Sequence, residues 1–173
     1  MGKILTIALL VTALLAGGAL YYLQVYHFYR EVQLASNGGE VAMKITLAGG
    51  EAVDLPARDF RGIDADSSPI RFRACFDTDL PQDAALVPYA AAEPLNAPGW
   101  FDCFDAPAIG AALQEGRARA YLGERNIEYG IDRVLAIYPD GRAFAWHQIN
   151  RCGEVVFDGQ PAPDDCPDPA QGY

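Results

Sequence analysis

Two short blocks hold most of the side chains with chemical potential: Pro98-Gly99-Trp100-Phe101-Asp102-Cys103-Phe104-Asp105 and Trp146-His147-Gln148-Ile149-Asn150-Arg151-Cys152-Gly153. Each sets a tryptophan a few residues ahead of a cysteine. Brought together, Trp100 and Trp146 would wall a binding cleft for a small ligand, with Asp102, His147 or Glu124 as its polar groups. The competing use of the same residues is packing, because large aromatics close a core around a disulfide without any ligand. The sequence favours packing. His147 is the single histidine after residue 30, and a general base needs a partner and a nucleophile placed in space. Ser67 and Ser68 lie in a polar stretch with no Gly-x-Ser-x-Gly elbow. A hydrolase or transferase built on His147 is therefore the weaker reading, and no catalytic residue is assigned.

Cys75, Cys103, Cys152 and Cys166 are the four cysteines. No Cys-x-x-Cys pair offers a nucleophile beside a resolving thiol. One histidine and Met43 are too few to complete a zinc or copper site with them. Structural disulfides remain, and three pairings are open to four cysteines. Neighbours in sequence meet most easily, so Cys75–Cys103 and Cys152–Cys166 are expected. Asp77-x-Asp79 and Asp64-x-Asp66 fail as calcium loops, since Pro81, Gln82 and Pro69 fall where the pattern needs other residues. Nucleotide-binding glycine fingerprints are missing as well. Neither a metal nor a cofactor is expected.

The elements that must position these blocks follow from periodicity. Val41, Met43, Ile45 and Leu47 alternate with Ala42, Lys44 and Thr46, and Gly49-Gly50 turns the chain into Ala52–Leu55, a β-hairpin. Residues 57–68 read as a charged surface loop. Ile70, Phe72, Ala74 and Phe76 alternate with Arg71, Arg73 and Cys75, which predicts a strand with both arginines outward. Pro81, Pro88, Pro94 and Pro98 break regular structure from Asp77 to Pro98, and a short helix is expected around Asp83–Val87. Asp105 can cap a helix that tolerates Pro107 in its first turn and stops at Gly116. Strands follow over 117–123, 131–138 and 142–150, the last two joined by Pro139-Asp140-Gly141. Val134–Tyr138 is apolar on both sides and reads as central, and Glu154–Phe157 as a final strand. The fold class is α+β: a mainly antiparallel sheet with one clear helix, preceded by an N-terminal transmembrane helix.

That last helix is the run from Ile4 to Leu23, twenty residues without a charge. At ~1.5 Å per residue it spans ~30 Å, the hydrocarbon thickness of a bilayer. Tyr21, Tyr22, Tyr26 and Tyr29 gather at its far end with His27 and Phe28, as an interfacial belt would. Ala16-Gly17-Gly18 offers a cleaved leader as the alternative. The apolar run continues past it, which favours an anchor. Lys3 and the terminal amine place the N-terminus in the cytoplasm and the rest of the chain outside. The division is then an anchor over 1–30, a folded domain over 31–157 and a Pro/Asp-rich tail over 158–173.

Residues 31–173 carry eleven basic and twenty-three acidic side chains, a formal charge of −12. This balance repels phosphate backbones and anionic headgroups, so nucleic acid is excluded as a partner. The blocks APGWFDCFDA (97–106) and YGIDRVLAIYPDGRAFAWHQIN (129–150), with the leader LLVTALLAGGALYYLQVY, resemble a family of small bacterial proteins of unknown function with one N-terminal membrane segment. The resemblance covers most of the chain. It implies a bacterial inner-membrane setting and brings no activity or site residue; the orientation read from the charges then puts the domain in the periplasm. The expected function is a tethered, non-enzymatic module for protein interaction or envelope assembly, whose partner is an inner-membrane or periplasmic protein. The aromatic-cleft sensor is the alternative.

Overall fold

The computed structural model describes residues 2–80 and 85–169. Helix α1, Gly2–Tyr22, continues through a wider-wound turn at Leu23–His27, and the whole 26-residue stretch is long and apolar enough to cross a membrane. No residue of α1 is buried against the rest of the molecule. Its two threonine hydroxyls turn inward to the helix backbone, Thr6 Oγ1 to Gly2 O at 3.1 Å and Thr12 Oγ1 to Ala8 O at 2.8 Å. Hydrocarbon demands such internal satisfaction of polar groups.

Eight strands follow: β1 (Arg30–Val32), β2 (Lys44–Thr46), β3 (Ala52–Asp54), β4 (Arg58–Asp64), β5 (Arg73–Asp77), β6 (Arg119–Glu128), β7 (Ile131–Ile137) and β8 (Arg142–Ile149). Helices α2 (Ala106–Gln114) and α3 (Arg151–Phe157) complete the fold. Six strands form one sheet in the order β1-β4-β5-β8-β7-β6, antiparallel throughout, while β2 and β3 form a separate hairpin. The α+β class read from the sequence is the one observed.

Both faces of the sheet are covered, so its inner strands lose the alternation of a half-exposed sheet. Every residue of β7 is buried. On one face the β2–β3 hairpin packs Met43 and Ile45 against Phe72, Phe76 and Leu135. Thr46 Oγ1 donates to Gly123 O at 2.8 Å, and Gly123 permits the approach. A Cβ there would stand 3.0 Å from Arg133 O and 3.2 Å from Lys44 O. On the opposite face, α2 and the long segment before it pack Phe101, Phe104 and Ile109 onto Ile63, Val134 and Trp146. That segment also closes the free edge of β6: Tyr89 N–H donates to Ala120 O at 3.0 Å, and Leu122 N–H to Val87 O at 2.9 Å. A covered edge does not invite pairing with another chain.

Several local expectations are corrected. Residues 57–68 are not one loop, because β4 occupies Arg58–Asp64 between β1 and β5. Asp59 at φ 49° makes a bulge that breaks the alternation a reader relies on. Arg73 is buried, not outward. Glu154–Phe157 belongs to helix α3, since the Asn150 side chain accepts from Cys152 N–H and Gly153 N–H and starts a helix there. Of the helix expected around Asp83–Val87, the first two residues lie outside the described residues; Leu86 is extended and bridges Leu47. The Asp105 cap is present, its carboxylate accepting from Ala108 N–H at 3.0 Å, and Gly116 sits at φ 73° where α2 ends. The cysteines pair as Cys75–Cys103 and Cys152–Cys166.

Candidate functional site

Trp146 and His147 are consecutive on β8, and consecutive strand residues point to opposite faces. Trp146 is fully buried beside Phe104, with Nε1 donating to Gln148 Oε1 at 3.2 Å. His147 is buried on the hairpin side, its ring stacked on Phe72 at 4.6 Å between centroids. Its Nδ1 lies 2.8 Å from Pro69 O. A carbonyl only accepts, so Nδ1 carries the proton and Nε2 is the acceptor. Arg133 Nε donates to that Nε2 at 3.2 Å, with Nη2 at the same distance. Burial, and then the Arg133 charge, push the imidazole down to about 3. Both nitrogens are committed to the protein, and the ring is a neutral strut rather than a base.

Two arginines share this buried logic. Arg133 donates Nη1 to Ala42 O at 2.7 Å and lies over the Phe72 ring at 4.6 Å; burial lowers its pKa. Arg73 holds four carbonyls, Leu95 O at 2.7 Å, Ile70 O at 2.8 Å, Phe72 O at 2.7 Å and Asn96 O at 3.1 Å. Burial pushes its guanidinium down to about 10. It fastens β5 to the segment that covers the sheet. Asp132, also buried, accepts from Asn126 N–H at 2.9 Å, from Asn150 Nδ2 at 2.7 Å and from the Tyr89 hydroxyl at 3.3 Å. Sequence reading missed this cluster, whose only signal is a lone aspartate in an apolar strand.

Trp100 and Asp102 flank Phe101 at the surface. Asp102 pairs with Arg61 at 2.8 Å and is exposed. Glu124 pairs with Lys44 at 3.1 Å on the hairpin side. The four candidate residues therefore do not line one cavity: Trp146 and His147 lie in the core on opposite faces, Asp102 is at the open surface, and Trp100 lines a cavity. That cavity, about 610 Å³, is bounded by Glu31, Gln33, Arg58, Arg61, Trp100 and Phe101 among others. Among the described residues no three His, Cys, Asp or Glu side chains gather as metal ligands.

Trp100 leads to the place where the apolar helix meets the domain. The last four carbonyls of a helix lack intrahelical partners. Here Trp100 Nε1 donates to Val25 O at 2.7 Å, and Arg71 Nη1 to Gln24 O at 3.4 Å. Arg71 Nη2 also reaches Gln24 Oε1 at 3.3 Å, and its guanidinium lies 5.3 Å over the Tyr29 ring. Tyr29 in turn meets Trp100 edge to face at 6.1 Å. A cation at a helix C-terminus is favoured by the helix dipole. Side chains distant in sequence thus finish the helix that the chain begins with.

Residues 41–167 match a family described as "Family of unknown function (DUF6446)", a match over more than half of the chain. No curated protein and no solved structure matches.

Proposed function

The chain belongs to that family of unknown function (DUF6446), and from this premise we propose that it is a membrane-anchored, non-enzymatic domain that binds a protein partner of the cell envelope. The setting is a bacterial inner membrane, with the N-terminus cytoplasmic and residues 31–173 in the periplasm. The observation that carries this reading is the capped junction. By seizing Val25 O and Gln24 O, Trp100 and Arg71 present the domain at one place and orientation beside the membrane. Tethering raises the effective concentration of a domain toward its membrane neighbours. The two disulfides fit an oxidising compartment. The full engagement of both His147 nitrogens supports a structural role over a catalytic one.

The test has two parts. In intact cells, a membrane-impermeant maleimide should label the chain only after an impermeant reductant is added. Labelling that requires cell lysis would overturn the orientation. Photocrosslinkers placed around the exposed surface should then capture the same envelope protein repeatedly, and consistent failure to capture any would overturn the interaction reading. A small-ligand reading is favoured by one observation, the 610 Å³ cavity with Trp100 in its wall. It expects a metabolite panel to change Trp100 fluorescence.

A further inference from the structure

We propose that the junction between α1 and the domain is a binding site for the phosphodiester of a zwitterionic phospholipid headgroup, with Arg71 as its principal ligand. The inference rests on α1 spanning the bilayer. A hydrocarbon core of ~30 Å counted from Ile4 ends at Leu23, so the polar Gln24 and then Val25 are the first residues beyond it. The polar layer on each side of the hydrocarbon is roughly 5–8 Å deep. Arg71 and Trp100, which hydrogen-bond the backbone of Gln24 and Val25, therefore lie at headgroup depth. Trp100 and Tyr29 present the amphipathic rings that favour this layer.

Arg71 is the cation in reach. Among the described residues it has no carboxylate at ion-pair distance, whereas Arg30 pairs with Glu40 and Asp66, and Arg61 with Asp102. Its two contacts to Gln24, at 3.3 and 3.4 Å, are long, and they leave Nε without a protein partner among the described residues. A planar fork that keeps donors free matches a phosphate oxygen pair. Bulk charge selects the lipid class. A net −12 over residues 31–173 opposes approach to anionic lipids, while a phosphodiester under a choline or ethanolamine cap offers local negative charge without net repulsion.

The full chain, carrying ¹³C at arginine Cζ, is reconstituted into phosphatidylcholine vesicles in phosphate-free buffer and washed with alkaline carbonate. Dipolar dephasing of arginine ¹³C by lipid ³¹P is then read by solid-state NMR. An arginine signal dephased by lipid phosphorus and restored to the undephased level in Arg71→Gln is the expected result. The same vesicles with added inorganic sulfate, an oxyanion that carries no ³¹P, should show no change in the dephasing. Retention through the wash without dephasing, or dephasing that survives in Arg71→Gln, would overturn the site while leaving the anchor in place. Loss of the dephasing on addition of sulfate would overturn the lipid headgroup as the preferred ligand. Release of the protein by the wash would overturn anchor and site together.

Discussion

His147 is held between a carbonyl that fixes its proton on Nδ1 and an arginine that takes its Nε2 lone pair. Protonation would set a second cation against Arg133 in a buried site, which is why the imidazole is pushed down to about 3 from its ordinary 6.5. The sign of the linkage follows. Between those two values the unfolded chain binds a proton that the folded one refuses, so stability is complete above pH 6.5 and falls as pH falls toward 3. Between pH 6.5 and pH 5, this single group should cost about 2 kcal/mol of unfolding free energy. Asp64 works in the opposite sense, since burial raises its pKa. The comparison is therefore made against His147→Gln, which keeps an acceptor for Arg133 and removes the titration. Denaturant unfolding at the two pH values should show the wild-type loss shrinking by about 2 kcal/mol in the variant. An unchanged pH slope would contradict the neutral-strut assignment. None of this was legible in the sequence: a histidine beside a tryptophan reads equally as a cleft or as packing until the strand puts them on opposite faces. Arg73 teaches the same lesson. Alternation placed it correctly on a face, but the segment that covers that face brings Leu95 and Asn96 carbonyls to an arginine with no local cue for burial.

At the level of elements, capping and turn chemistry survived translation into structure, as did the alternation behind β2, β3, β5, β7 and β8, while β4 and α3 did not show in the pattern. Asp105 starts α2 and Gly141, at φ 92°, turns β7 into β8, because both depend on short-range geometry that one residue type satisfies. Strand β4 escaped because its bulge at Asp59 shifts the side-chain alternation and its exposed arginines look like a loop. Helix α3 escaped because Val155, Val156 and Phe157 suggest a strand, while the deciding residue, Asn150, lies outside that run. Asn150 also donates to Asp132 and Asn126, so the cap is itself locked by the buried cluster. Position is set by two glycines in contact. A Cβ on Gly153 would stand 2.4 Å from Gly130 O, and Gly130 holds φ 73°. Gly153→Ala must therefore lift α3 off the β6–β7 turn, with a cost of about 1–3 kcal/mol typical of overpacking. Chemical denaturation measures it. Gly159→Ala is no control, because Gly159 sits at φ 77°; Gly99→Ala, where a Cβ meets nothing within 4 Å, should cost well under the Gly153 variant.

For the whole molecule the question is what joins its separate parts. Cys75–Cys103 ties β5 to the covering segment, and Cys152–Cys166, with Arg151 paired to Asp165 at 2.7 Å, ties the tail to α3. The bridges close sequence separations of 28 and 14 residues. Loop-closure entropy alone gives about 3.6 and 3 kcal/mol respectively. Replacing Cys152 and Cys166 together by serine should thus lower unfolding free energy by about 3 kcal/mol, and a loss near zero would mean the tail contributes nothing to the fold. The third joint is not covalent. Trp100 reaches from the covering segment to the end of α1, so the non-covalent hydrogen-bonded link between the apolar helix and the domain consists, among the described residues, of one indole donor and the weaker Arg71 contacts. Trp100→Phe keeps a ring against Tyr29 and deletes the donor. Losing one hydrogen bond of ~1 kcal/mol should speed amide exchange over residues 28–32 roughly fivefold in the full chain in vesicles. Exchange in β7, buried throughout, should not change. Equal protection of residues 28–32 in both proteins would show that the helix and the domain are joined only by the chain between them.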